Sequence, residues 1–283
     1  MPAERNVPVS GPRASALEEL FAVGKPVIGT VHLLPLPGAP RYRGEPIAVV
    51  VEQAVRDARE YVQGGVDGLI VENEGDIPFR KPGDVGHDTV AALAVVTVAV
   101  RQAVDVPVGV NCLANAVVQS IAVAKAAGGR FVRANQWTNA YVANEGIIEG
   151  AAAEALRFRS RIHGEDIRIL ADVHVKHGSH AIVADRDIAE LTHDAEAFDA
   201  DVLIATGQRT GDPTQVGEVT RIKEVATRPV IVGSGLTAAN AAELLKVADG
   251  AIVGSAMKHD GVWWNPVDRG RVAAIMDQVA KAR

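Results

Sequence analysis

The sequence is poor in cysteine: Cys112 is the one cysteine among 283 residues. A disulfide framework within the chain is therefore excluded, and a reducing compartment suits it. Long hydrophobic runs are absent too. The longest, around Ala91 to Val100, is too short to cross a bilayer as a helix. The opening residues lack the positive-then-apolar pattern of a signal peptide. Positive charge is not in excess, since the formal net charge is -6. That excludes general nucleic-acid binding, which wants a basic face, and simple docking on anionic lipid. The expectation is a cytoplasmic protein without integral membrane insertion, with peripheral association left open.

Aromatic residues are few, at 4%, whereas apolar residues reach 48%. A core of Ala, Val, Ile and Leu suits helices packed closely on a parallel sheet. Eight short Val/Ile-rich segments read as strands: Val27–His32, Val66–Asn73, Val106–Cys112, Arg130–Asn135, Ile167–Lys176, Asp201–Thr206, Pro229–Ser234 and Gly250–Ser255. Little alternation within them indicates cover on both faces. Their starts lie roughly 20–40 residues apart, room for a helical crossover each time. Helices are predicted over Ile47 to Gln63 and Asp88 to Val104. Others follow from an Asn115 cap to Gly128, over Ala151 to Ile162, Arg186 to Phe198 and Thr214 to Ala226, from a Thr237 cap to Val247, and from Pro266 onward. Eight such repeats predict a single-domain α/β chain, a (β/α)8 barrel over residues 14–283, behind a loose tail at 1–13. A doubly wound open sheet is the alternative. Ala14 to Val23 is expected to plug the barrel bottom. The helix from Asp88 is apolar nearly all round, which suggests a subunit contact and a homo-oligomer.

Barrels place function at the C-terminal ends of their strands. Two turns there, Gly233-Ser234-Gly235 and Gly254-Ser255, follow strands seven and eight. Their glycines open backbone N–H groups to an anion, and nearby helix N-termini add positive partial charge. They predict a phosphate site. The sixth loop adds Thr206 and Arg209, the latter suited to clamp an anion. The fifth strand carries Asp172, His174 and Lys176 at alternate positions, hence on one face. Asp172 is expected to orient His174, His174 to act as general acid or base, and Lys176 to stabilise an enolate or form a Schiff base. His32 and Glu72 join this catalytic set, and Asn111, Arg133 and Asn135 the substrate contacts, because each marks a switch from apolar to polar at a strand exit. No cofactor is required by these residues. A divalent metal is possible, and its expected ligands are His32, Glu72, Asp172 and His174. Cys112 reads as a small buried hydrophobe. Trp263 and Trp264 receive no catalytic role. The long loops Leu33 to Pro46 and Gln136 to Gly150 are candidate lids.

On the stretches IGTVHLLPLPGAPRY, IVENEGDIPF, VGVNCLAN, WTNAYVANEGIIEG, ILADVHVKH, IATGQRTG, IVGSGLT and ADGAIVGSAMK, the chain resembles the BtpA/SgcQ family. The resemblance runs from about Ile28 to Lys258. It implies a barrel. One branch of the family is linked to photosystem I biogenesis at the thylakoid membrane; another accompanies sugar-utilisation genes and is called nucleosidase-like. The family supplies no settled catalytic constellation. The expected function is an enzyme acting on a phosphorylated sugar or nucleoside-like substrate, as lyase, isomerase or glycosidic hydrolase. The alternatives are a non-catalytic assembly factor for a membrane complex and a small-molecule-binding regulator.

Overall fold

The computed structural model describes residues 15–207 and 216–283. The expected tail at 1–13 and the expected anion clamp Arg209 lie outside the described residues. Eight parallel strands close into a barrel: β1 Val27–His32, β2 Gly68–Glu72, β3 Val108–Asn111, β4 Phe131–Ala134, β5 Arg168–Asp172, β6 Val202–Ala205, β7 Val230–Val232 and β8 Ala251–Val253. They lie in chain order around the ring, and β8 pairs with β1. The open-sheet alternative is thereby excluded. Closure leaves the barrel itself without an unpaired edge.

Helices cover the outside: α2 Ile47–Gln63, α3 His87–Ala103, α4 Val117–Ala127, α5 Ala152–Arg161, α6 Ile188–Ala197, α7 Val216–Val225, α8 Ala241–Val247 and α9 Arg269–Ala282. The short α1, Ala16–Leu20, precedes the barrel. The buried face of α2 carries Val50, Ala54, Ala58 and Tyr61. Two predicted caps differ. Asn115 does not cap α4: its backbone is left-handed, at φ 57. Its side chain instead accepts from the Gln136 amide at 2.8 Å and donates to the Gln136 carbonyl at 2.9 Å. Thr237 does not cap α8 either. Asn240 accepts the Thr237 amide at 2.7 Å and donates to Gly235 O at 2.9 Å, tying residues 237–240 into a turn before the helix starts. Pro266 does not begin α9. A bridge between Lys258 and Val267 keeps that stretch extended, and Asp268 caps the helix by accepting from Arg271 N.

Alternation along the strands sorts their side chains into two cores. Val27, Val31, Leu69, Val71, Val108, Val110, Val132, Ile169, Leu203, Val230 and Val253 face the helices. Ile28, Ile70, Phe131, Leu170, Val202, Ile204, Ile231 and Ile252 fill the barrel. The inner core continues downward into Ala16, Leu17, Leu20 and Phe21, so α1 and the residue after it close the barrel bottom. Phe21 meets Phe131 at a ring separation of 6.1 Å. On α3, Ala92, Leu93, Val96, Thr97 and Val100 are buried, while Val95 stays exposed on the outer side. Among the described residues no helix is long and apolar enough to cross a membrane.

Candidate active site

Beyond the inner core, the same alternation continues into a polar tier. Counting on by four from Ile28 and by two from Ile70, Gly109, Phe131, Leu170, Ile204, Ile231 and Ile252 gives His32, Glu72, Asn111, Arg133, Asp172, Thr206, Gly233 and Gly254; Gly109 is the inward position of β3, its missing side chain leaving room for Phe131. The register aligns the first three laterally, His32 opposite Glu72 and Glu72 opposite Asn111. One ring of eight positions thus holds six polar side chains and, on β7 and β8, two glycines.

Three of the six polar side chains, Arg133, Asp172 and Thr206, form one bonded group. Arg133 makes a bidentate pair with Asp172: Nε donates to Oδ2 at 2.9 Å and Nη2 to Oδ1 at 3.0 Å. The Thr206 hydroxyl also donates to Asp172 Oδ1. Asp172 is therefore committed to Arg133 and Thr206, and the expected Asp172–His174 couple is not formed. The physical reason is that β5 ends at Asp172. Beyond it the chain bends, and the strict alternation that would carry His174 inward is lost. His174 stacks on His180 at 3.8 Å, and His180 stacks on Tyr141 at 5.2 Å. Burial, with His180 beside it, pushes the His174 imidazole down to about 4. His174 lines neither cavity of the barrel mouth.

Lys176 does return to the mouth. Its Nζ lies 3.4 Å from Ser234 Oγ. Burial, reinforced by repulsion from Arg133, brings its ammonium down to about 8. On the opposite wall His32 Nδ1 lies 3.1 Å from the Trp263 carbonyl and Nε2 lies 3.5 Å from Glu72 Oε2. Burial lowers the His32 imidazole below its ordinary range, with Lys258 adding to the effect. Asn111 donates to Glu72 Oε1, while its own Oδ1 and that of Asn135 are buried without a hydrogen-bond partner.

Two cavities meet at this tier. A cup of about 250 Å³ is lined by Gly233, Ser234, Gly235, Leu236, Gly254, Ser255 and Arg271, among others. A chamber of about 380 Å³ is walled by Phe79, Asn135, Tyr141 and Trp263 among its neighbours. His32, Glu72, Arg133 and Lys176 line both. In the cup, Gly235 has φ +75, a left-handed turn that suits glycine. The amides of Gly235 and Leu236 make no hydrogen bond among the described residues. Gly254 lines the cup, and a Cβ there would stand 3.1 Å from His32 Cε1, so the missing side chain also makes room for the imidazole. At Gly233 the vacant position is filled by Ile204, with Thr206 and Arg133 close by. A larger cleft, about 620 Å³, lies at the opposite end beside α1. Its lining includes ion pairs such as Lys223–Asp249 at 2.7 Å.

The four expected metal ligands are not brought together, because Asp172 is held by Arg133 and His174 lies in the His180 stack. The group that does converge is His32, Glu72 and Glu74, whose ligand atoms lie within 4.8 Å of one another. Glu74 escaped the sequence reading, although it stands two positions beyond Glu72, the last residue of β2. Burial and the Glu72 charge push its carboxyl up to about 8. Trp263 and Arg271 were also missed; both come from the segment after β8, where no local pattern marks them. Cys112 is buried and its thiol is pushed up to about 12 by burial, as expected of a packing residue. The Gln136–Gly150 loop is a packed hairpin, Ala140–Ala143 with Gly146–Glu149, and Trp137 within it is buried, donating to Phe198 O at 3.0 Å.

The architecture is shared with solved barrels. Tryptophan synthase of Mycobacterium tuberculosis superposes with a TM-score of 0.60 at 20% identity, covering 94% of this chain and 99% of that one. Thiamine phosphate pyrophosphorylase of Pyrococcus furiosus gives a TM-score of 0.54 at 18% identity, over 91% of this chain and 96% of that one. At such identities the likeness is one of fold alone. Sequence relatives are closer. A P. furiosus protein described as uncharacterised is 42% identical over 260 residues, 92% of this chain and 97% of its own. The photosystem I biogenesis protein BtpA of Synechocystis is 37% identical over 270 residues, 94% of this chain and 91% of its own. Residues 23–281 match the BtpA family, and the chain belongs to that family.

Proposed function

We propose that the chain is an enzyme that binds a phosphorylated sugar or nucleoside-like compound, with phosphate in the cup and the organic part in the chamber. The observation that carries this reading is the shared wall: His32, Glu72, Arg133 and Lys176 border both cavities, so a ligand spanning them passes its middle atoms across four titratable groups. In the cup, the Gly235 and Leu236 amides and the Arg271 guanidinium offer donors to an anion. In the chamber, Lys176 is the group best suited to act on a carbonyl. Near pH 8 a substantial fraction of its amine is neutral, able to add to a carbonyl or to hold a developing enolate as the ammonium. Glu74, with its raised carboxyl, supplies a proton donor beside it. Lyase or isomerase chemistry follows more directly from this set than glycosidic hydrolysis, because an amine near neutrality serves carbonyl compounds.

The test is thermal stability against paired ligands, ribose 5-phosphate with ribose and inorganic phosphate with sulfate. A ligand at 100 times its Kd adds about 2.7 kcal/mol to folding. The phosphorylated members should stabilise the parent, and Arg271→Ala should lose that effect. Equal responses to ribose and ribose 5-phosphate would refute the reading. The name of the Synechocystis relative supports a second reading, an assembly factor for a membrane complex. It predicts that the chain sediments with membranes after a salt wash.

A further inference from the structure

His32, Glu72 and Glu74 present an unusual conflict among hydrogen-bond acceptors. The Trp263 carbonyl can only accept, so His32 Nδ1, 3.1 Å away, carries the imidazole proton. Nε2 is then left with its lone pair, and it faces Glu72 Oε2 at 3.5 Å. Glu74 brings a further carboxyl group to the same point and meets no hydrogen-bond donor among the described residues. The other oxygen of Glu72 is already taken by the Asn111 amide. Three electron-pair donors therefore converge with nothing positive between them. Asn135 lines the same chamber, and its buried Oδ1 is unpartnered.

The nearby cations do not resolve this conflict. Arg133 is held by Asp172, and Lys258 pairs with Asp57 at 3.6 Å, both members buried. Lys176 Nζ lies 3.4 Å from Ser234 Oγ and makes no ion pair with Glu72 or Glu74 among the described residues. The carbonyl behind the imidazole is also the kind of outer contact that fixes a ligating histidine's tautomer.

We propose that His32 Nε2, Glu72 and Glu74 bind one divalent first-row transition cation at the barrel mouth, with water or ligand oxygen completing its shell. One imidazole with two carboxylates suits Mn²⁺ or Zn²⁺ better than Mg²⁺ or Ca²⁺, which prefer all-oxygen sites. This rests on the proposed function only for its setting: bound there, the cation would polarise a ligand oxygen in the chamber. Metal binding is read with the metal alone, so it can succeed where sugar-phosphate binding fails, and the reverse.

The experiment is calorimetric titration of the chelator-treated full chain with Mn²⁺ and with Zn²⁺, checked by metal content after gel filtration. One ion per chain is expected, with Glu74→Gln and His32→Ala each weakening binding at least about tenfold. Glu74→Gln changes no packing contact of the core, so its unfolding transition should match the parent's. Should His32→Ala fail to fold, Glu74→Gln still decides the matter. Equal binding by parent and Glu74→Gln, or no binding of either ion at 1 mM, overturns the proposal.

Discussion

Asp172→Asn keeps the shape of a side chain and removes its charge, which makes it a sharp probe of the polar tier. In the parent both carboxylate oxygens accept, Oδ2 from Arg133 Nε at 2.9 Å and Oδ1 from Nη2 at 3.0 Å and from Thr206. The amide nitrogen must occupy one of those positions, setting donor against donor. Arg133 then keeps its charge at 6% side-chain exposure without its bidentate carboxylate partner. Breaking one side of a buried pair costs about 3–5 kcal/mol. At about 2–4 °C per kcal/mol for chains of this size, Asp172→Asn should melt roughly 6–20 °C below the parent. Urea unfolding followed by circular dichroism at pH 7 would measure it, with the slope checked for constancy. The double variant Arg133→Met with Asp172→Leu removes both charges and should recover most of the loss, since an apolar replacement of a buried pair is often neutral. A single variant within about 1 kcal/mol of the parent, the usual worth of an exposed pair, would refute the reasoning. So would a double variant no better than the single.

Lys176→Met should alter how stability varies with pH. The folded-state ammonium titrates at about 8, below its ordinary 10.5. Below about 8 both states hold the proton and the burial penalty is complete; between about 8 and 10.5 only the unfolded state holds it, so this group's contribution rises with pH. Relative to Lys176→Met, the chelator-treated parent should gain about 3 kcal/mol across that window at 1.36 kcal/mol per pH unit, and a flat difference would contradict the buried amine. Gly254→Ala places a Cβ 3.1 Å from the His32 ring. It should lower stability by only about 1–3 kcal/mol, as overpacking does, yet weaken binding of a phosphorylated ligand; unimpaired binding would free the imidazole from any role. Phe21→Ala removes the ring packed beneath Phe131 and should cost about 3–5 kcal/mol in urea unfolding. It should leave ligand affinity unchanged, because the plug lies at the far end from the mouth.

Strand order, the outer helices and the plug were legible because each rests on a local rule: apolar runs, helical stripes, terminal glycines. The polar tier was legible for the same reason, since alternation inside a strand carries inward positions forward without needing a partner. The rule failed where β5 stopped at Asp172, which is why His174 was placed with the wrong neighbours. Nothing local to residues 173–177 announces that stop. Asn115 does not act as a cap because its partner, Gln136, lies 21 positions along the chain, and Thr237 does not because Asn240, three residues on, closes the turn instead. Glu74 was within reach of the alternation argument and was passed over because a loop begins there. Trp263 was out of reach, since its contribution is a backbone carbonyl, which any residue type can offer.

The link between His32 and that carbonyl spans 231 positions of the chain. The first strand to be synthesised cannot fix its imidazole until the residues beyond the last strand are in place. A ribosome-bound chain that has yet to emit them holds an unoriented histidine, however well its earlier strands have paired. Contacts so distant in order form late and slowly, so competence at the mouth should appear only after the whole ring has shut, and fragments ending before Trp263 should acquire secondary structure without it.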